Sequence, residues 1–431
     1  MKIKFDWKLV VSLLFIISSV AFAQSNSGPS FQGFSAKVSG DIYGQVKVFE
    51  DVDGDGVKDL IFGSTDGQVH IFSGKGKEIM AGLWPKQTGG PILSEVNVAD
   101  LYGDGKKEVI VGSYDGKVYA LNSFGKELWT VDTRGTIQLS SPEVADVDGN
   151  GNLDVLLGSR SGQILRINKT GSLVWEIPMS SKISSRVSVA DIDGDGKKEI
   201  ICKDDNGTVT VLNSNGCARA GWPQSTVPNQ EWPFEASTAD LDGDGVKEVF
   251  TTTPDKKLLI WNTEGKLQKT IPLSDGAHCA PKVADLFGTG KLQFVIAQAD
   301  GAINVIDREG NSYPGFPFKT NHSIYSAPQI IDLDGDGCLD IVFTAWNPEG
   351  VGKQAGYIMA ISREGKPLPG YPKFIGKSIA PLAFADLDGD GYLEMIAAGG
   401  INYTDNQLQV FPTSAHTQIK MAVLGSEITF Y

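Results

Sequence analysis

Short runs of alternating apolar and polar residues recur along the chain, with glycine-containing turns between them. Residues 94–101, SEVNVADL, alternate as a half-buried strand does, and EVIVGS at 108–113 is largely β-branched. KVYALN at 117–122 alternates again, and ELWTV at 127–131 completes the set. Tyr114-Asp115-Gly116 and Ser123-Phe124-Gly125-Lys126 separate the last three runs, and Asp-Gly pairs suit the positive φ of hairpin turns. The same order recurs in EIICKDDNGTVTVLNSNG from Glu199 and in FVIAQADGAINVIDREG from Phe294. Four short strands, three turns and a return connection occupy about 45 residues at ordinary lengths. The pattern predicts an all-β chain whose unit is one four-stranded antiparallel blade of a β-propeller.

An acidic nonapeptide lies between the first and second run of every unit. The copies read DVDGDGVKD from Asp51, DLYGDGKKE from Asp100, DVDGNGNLD from Asp146 and DIDGDGKKE from Asp191. They continue as DLDGDGVKE from Asp240, DLFGTGKLQ from Asp285, DLDGDGCLD from Asp332 and DLDGDGYLE from Asp386. Eight copies at intervals of 45 to 54 residues predict eight blades, since a period in this range marks a propeller or solenoid. An EF-hand would need flanking helices and a glutamate in twelfth place. Here the closing acid stands ninth, and the twelfth residues, among them Phe62, Val111 and Leu157, fall inside a strand. The nonapeptide calcium β-helix has far too short a period.

Carboxylates at alternate positions around a glycine turn predict Ca2+, a hard cation that takes six to eight oxygens. Positions one, three, five and nine supply side chains, and position seven its carbonyl. The first loop thus offers Asp51, Asp53, Asp55, Val57 and Asp59, and the third Asp146, Asp148, Asn150, Asn152 and Asp154. The fourth offers Asp191, Asp193, Asp195, Lys197 and Glu199; the fifth Asp240, Asp242, Asp244, Val246 and Glu248. The seventh offers Asp332, Asp334, Asp336, Cys338 and Asp340; the eighth Asp386, Asp388, Asp390, Tyr392 and Glu394. About six sites are expected on this ligand rule. The second loop is expected to bind weakly, because Tyr102 leaves only Asp100, Asp104 and Glu108, and the sixth, with Phe287, Thr289 and Gln293, to be empty. Asx-turns without metal are the alternative, opposed by the repulsion of clustered carboxylates.

These loops, followed by VIVGS-like strands over residues 42–431, resemble the FG-GAP/VCBS repeats of integrin α-subunit-type β-propellers and their secreted bacterial relatives. Phe62-Gly63 is the clearest remnant of the Phe-Gly motif. The resemblance implies the propeller and the calcium loop, not integrin-like adhesion.

Composition narrows the partner. Net charge is −14, and 23 of the 52 acidic residues are side-chain ligands of the six best loops, so six divalent cations would cancel much of the excess. With no basic patch, nucleic acid is excluded as an expected partner. The N-terminus reads MKIKFDWK, then LVVSLLFIISSV, then AFAQS: a secretory signal peptide over residues 1–23, cleaved after Ala23. Its apolar run is too short to span a bilayer, so a secreted or periplasmic protein without a transmembrane segment is expected. Residues 24–41 are expected to close the ring, with Phe31–Asp41 adding a strand beside the C-terminal run 419–431. Cys202, Cys217, Cys279 and Cys338 are permitted to pair in an oxidising compartment, but they do not recur with the repeat and read mainly as small buried residues or unpaired thiols.

The loops and the third turns of the blades fall on one face; length variation falls on the other, at 346–354 and 399–407. Aromatic-Pro pairs, at Trp84, Trp222, Trp232, Phe316 and Tyr371, are placed in the blade crossings and read mainly as packing. Trp232, Trp346 and Tyr403 are the candidates for binding an extracellular protein or glycan without chemistry. The alternative, a polysaccharide-binding or polysaccharide-cleaving enzyme, would rest on His278 and His322 beside Asp275. No nucleophile elbow, zinc signature or phosphate loop accompanies them.

Overall fold

A computed structural model of the chain describes residues 29–228, 235–347, 355–400 and 406–417. The strands form eight four-stranded antiparallel sheets, the eight blades of a propeller. Blade two is representative, with strands Asn97–Ala99, Glu108–Gly112, Lys117–Leu121 and Glu127–Asp132 in spatial as in sequence order. First strands of neighbouring blades touch one another, so they line the central channel. Among the described residues no helix is long and apolar enough to cross a membrane.

The second strand of each blade carries the core. Leu60–Gly63, Glu108–Gly112, Asp154–Ser159 and Glu199–Lys203 are buried at every position, because both faces of a blade meet a neighbouring blade. One apolar cluster accordingly joins Phe49, Ile61 and Ile71 of blade one to Val98, Val109 and Val111 of blade two. The glycine at or next to the end of this strand has a packing reason. A Cβ on Gly63 would lie 2.2 Å from Cγ2 of Ile92, and one on Gly158 would lie 2.2 Å from Cγ2 of Ile183. The crossing segment drops its isoleucine into the space that glycine leaves.

Tryptophans tie consecutive blades on the loop face. Trp84 Nε1 donates to the carbonyl of Ser123 at 2.9 Å, Trp129 to Lys169 at 2.9 Å, Trp175 to Ser214 at 3.2 Å and Trp222 to Thr263 at 2.9 Å. Each acceptor lies in the third turn of the next blade. This corrects the placing of the aromatic-Pro pairs in the crossings of the opposite face. Trp84-Pro85 and Trp222-Pro223 open the fourth strands, beside the acidic loops, and both rings are buried. Their role is packing. Trp232-Pro233 lies outside the described residues.

The N-terminus closes the ring, with a different partner from the expected one. Phe34–Lys37 forms the fourth strand of blade eight and pairs with Gln407–His416, Phe34 facing Val410 and Lys37 facing Gln407. That third strand is ten residues long and buries Leu408 and Val410 with Phe62 and Phe72 of blade one, so its edge is where a closing strand gains most. Residues 419–431, and residues 1–23 that read as a signal peptide, lie outside the described residues.

The glycine–isoleucine fit predicts a coupled pair. Gly158→Ala should destabilise the fold by about 1–3 kcal/mol through overpacking, and Ile183→Ala by about 2–5 kcal/mol through a cavity. The double variant should lose clearly less than the sum in urea titrations; strict additivity would show that the two residues do not share the space.

Candidate metal centres and binding face

Each acidic loop is first of all a hydrogen-bonded turn. In the first, Gly54 N donates to Asp51 Oδ1 at 2.7 Å and Gly56 N to Asp51 Oδ2 at 2.9 Å. Both glycines have positive φ, which lets their N–H groups converge on one carboxylate. The ninth residue closes the turn from below: Val52 N donates to Asp59 Oδ2 at 2.7 Å. The same bond recurs at Glu108, Glu199, Glu248, Asp340 and Glu394, and at Gln293 in the sixth loop. Position-seven residues donate their N–H to position five, as Val57, Lys197, Val246, Cys338 and Tyr392 do to their aspartates and Asn152 to Asn150. The Asx-turn reading is therefore correct for the backbone. It leaves the remaining carboxylate oxygens to be accounted for.

Five loops bring three carboxylates within 4.8 Å of one another: Asp51, Asp53 and Asp59; Asp191, Asp193 and Glu199; Asp240, Asp242 and Glu248; Asp332, Asp334 and Asp336; Asp386, Asp388 and Glu394. Such an all-oxygen donor set fits a hard divalent cation such as Ca2+. Asp59 and Glu394 are 0 % exposed, and Asp59 Oδ1 and Glu394 Oε1 are buried without a hydrogen-bond partner. Burial, followed by the charge of the other loop acids, pushes Asp59 up to about 7, Asp340 to about 7 and Glu394 to about 8. These carboxyls are ones that a cation would hold ionised. Asp100, Asp104 and Glu108 of the second loop do not gather in this way, and neither do Asp146, Asp148 and Asp154 of the third.

The third, fourth and fifth loops contain a feature that the ligand count missed: an arginine against the carboxylates. Arg166 Nη2 lies 2.6 Å from Asp154 and 2.7 Å from Asp148, with Nε 3.0 Å from Asp154 and Nη1 donating to the carbonyl of Ser214. Arg219 spans Asp193 and Glu199, at 2.7 Å each. Arg308, from the third turn of blade six, pairs with Asp242 and reaches Glu248 at 3.2 Å. In each loop the guanidinium bridges the third and ninth positions. A signal was present in the sequence. Arg166 faces Leu156 in a register that places Ile71, Ala120, Val211, Ile260, Val305, Ala360 and Val410 at the matching site of the other blades. In the sixth loop Gln293 Nε2 donates to Lys291 O and Tyr313 Oη, and Phe287 stacks on Tyr313 with centroids 4.7 Å apart. An amide and two rings occupy that loop.

On the opposite face the binding candidates need correction. Trp346 ends the second strand of blade seven and is 6 % exposed. It packs edge-on against Tyr325, with Lys377 Nζ 3.6 Å above its ring, so it supports the surface and does not form it. Trp232 and Tyr403 lie outside the described residues. The accessible aromatic groups are others. His278 stacks on Tyr325 at 4.5 Å, and a second row runs His322, Tyr357, Phe374 with centroids 4.9 and 6.0 Å apart. Phe374 is 65 % exposed. Asp275, the carboxylate considered beside the histidines, is paired with Lys256 at 3.0 Å. The four cysteines are unpaired.

The channel wall holds a group that the sequence reading passed over. Lys47 and Glu95 pair at 3.1 Å, Arg186 and Glu143 at 2.6 Å, and Arg186 and Glu95 at 3.7 Å. Burial raises Glu95, yet Lys47 and Arg186 outweigh it and hold the carboxyl at about 2. Glu235 and Lys282 add one further charge of each sign, Glu235 shifted up and Lys282 down, chiefly by burial.

A model of the lambda-carrageenase β-propeller domain matches residues 79–137 and 154–275. No curated protein matches the sequence. Among solved structures, the Vibrio cholerae biofilm matrix protein Bap1 is similar at 13% identity and TM-score 0.60, over 92% of this chain and 94% of that one. BamB from Moraxella catarrhalis is similar at 13% identity and TM-score 0.57, covering 89% and 99%. The quinohemoprotein alcohol dehydrogenase from Comamonas testosteroni follows at 12% identity and TM-score 0.53, covering 89% and 76%. At these identities the likeness is one of fold alone.

His70 supplies a pH dependence separate from the loops. Its Nδ1 lies 2.6 Å from Glu78 and its Nε2 3.1 Å from Asp66. Burial lowers its pKa, but the two carboxylates raise it further, to a value above the ordinary 6.5. Burial likewise raises Asp66, and its bonds to His70, Ser39 and Ser64 bring it well below the usual carboxylate range. The histidine's contribution is therefore complete below about pH 6.5 and lost as pH rises through the folded-state value. Asp66's is present above about pH 4 and lost on acidification. His70→Gln should flatten the decline of the urea midpoint above pH 6.5; an unchanged slope would remove His70 as its cause.

Proposed function

We propose that this protein is an extracytoplasmic binding propeller. Cations held in its acidic loops stabilise the ring, and the face opposite the loops takes a polysaccharide without cleaving it. The observation that carries the reading is the pair of aromatic rows on that face, His278–Tyr325 and His322–Tyr357–Phe374, on the ends of rigid blades. Flat rings at a strand end suit the apolar faces of sugar rings, and a preformed scaffold orders few side chains on binding. Lys377 over Trp346 adds cationic character, which suits an acidic or sulfated chain. The match to the propeller domain of a λ-carrageenase supports a glycan over a protein as partner. The signal-peptide pattern supports export.

A polysaccharide-cleaving enzyme is the second reading, favoured by that same match and by His278 and His322. The engagement of Asp275 by Lys256 weighs against it, since a general acid or base should face the substrate.

Affinity electrophoresis against sulfated, uronic and neutral polysaccharides tests the reading. Phe374→Ala and Tyr357→Ala should each weaken retention by a sulfated or uronic chain about tenfold, equal to about 1.4 kcal/mol. The melting temperature should stay within a degree or two. New reducing ends, or unsaturated ends absorbing in the near ultraviolet, would favour the enzyme. No retention on any chain would reject the glycan partner.

A further inference from the structure

The acidic loops differ in what neutralises them, and the difference follows position in the ring. Blades three, four and five have Arg166, Arg219 and Arg308 between the third and ninth carboxylates, the position from which a bound cation would contact both. Blades seven, eight and one have no arginine there among the described residues. Arg363, near the seventh loop, pairs with its neighbour Glu364 instead. Lys75, largely exposed, touches Asp55 at 3.1 Å and leaves Asp51, Asp53 and Asp59 facing one another. The orphaned buried oxygens, Asp59 Oδ1 and Glu394 Oε1, belong to the first and eighth loops, and the seventh buries Asp332 and Asp340 with no lysine or arginine paired to them among the described residues.

These three loops are contiguous across the seam. Blade eight is completed by the N-terminal strand, and Ser30, just before it, donates N–H to Asp390 at 2.7 Å and its hydroxyl to Asp388 at 3.0 Å. Lys58 of the first loop donates its N–H to Leu387 O at 2.9 Å and its ammonium to Asp386 O at 3.2 Å, joining the first loop to the eighth.

We propose that the chain supplies its own cation in blades three to five, and that divalent cations fasten only the seam, in the loops of Asp332, Asp386 and Asp51. Resting on the reading that these loops hold Ca2+, this assigns the metal a place and a task. A guanidinium fixed by the fold is always charged and cannot be chelated. Blades three to five are therefore locked permanently. The seam, where the ends of the chain meet, is held by an ion whose supply the compartment controls. Depletion should loosen blades seven, eight and one first and leave the remainder of the arc folded.

The test uses the full chain, stripped with EDTA and titrated with calcium chloride, read by native mass spectrometry and hydrogen exchange. Three tightly bound ions are expected, one for each named loop. EDTA should speed exchange at least tenfold in residues 29–72 and 329–417 while leaving residues 154–212 unchanged. Arg219→Gln and Arg308→Gln should each raise the count by one, and Asp59→Asn should lower it by one. If an arginine variant fails to fold, the wild-type count and the Asp59→Asn count still decide. Six ions, or exchange that rises equally in all blades, would overturn the division while leaving the cation reading intact. No bound ion at millimolar calcium would overturn both.

Discussion

The ninth residue of each acidic loop stands at the head of the most buried strand of its blade. At Asp59, Glu108, Glu199, Glu248, Asp340 and Glu394 a carboxyl caps the N–H of the loop's second residue and then faces the interior. An ionised carboxylate there is costly unless a positive group meets it. The repeat imposes this demand at every blade, and the chain meets it in several ways. Gln293 removes the charge and keeps the bond. Arg166, Arg219 and Arg308 supply a countercharge. In the first, seventh and eighth loops three carboxylates face one another, with no arginine between them among the described residues. The channel wall answers a similar demand with Lys47 and Arg186 against Glu95 and Glu143.

Much of the fold was legible in the sequence because the repeat is local. Period-two alternation, Asp-Gly turns and the loop spacing each act within one blade, so eight copies gave eight blades and their strand order. Relations between blades were harder to read. Arg308 lies in blade six and acts in blade five, so no motif in either unit announces the pair. Arg166 was nearer to legible, since it breaks a column that is apolar in every other blade. The closing strand was placed at the correct end of the chain, but its partner Gln407–His416 was not foreseen. Phe34–Lys37 is too short and too polar to reveal, without its neighbour, that it pairs with Gln407–His416.

The candidate face was least legible, for a physical reason. Irregular length marked Trp346 as exposed, whereas the second strand of blade seven extends to it and packing against Tyr325 and Lys377 buries it. A large side chain at the end of a buried strand continues the strand's packing. The groups left at the surface, His278, Tyr357 and Phe374, belong to no motif and are gathered only when the blade ends are brought together. A rigid ring therefore has two faces with separate duties: charge compensation and blade-to-blade tryptophan bonds on one, aromatic groups on the other. Substitutions on the second face can change without disturbing the first, as expected for sites carried on a stable scaffold.

The account depends on the open loops requiring a cation. At tenfold excess over its dissociation constant, one bound ion stabilises the folded state by about 1.4 kcal/mol. Three would add on the order of 4 kcal/mol, a substantial part of a typical domain's 5–15 kcal/mol. Differential scanning calorimetry of the calcium-loaded protein, with and without excess EDTA, measures this directly. The account predicts a melting temperature lower by several degrees in EDTA and restored by added calcium. An identical melt in protein shown to be metal-free would contradict it.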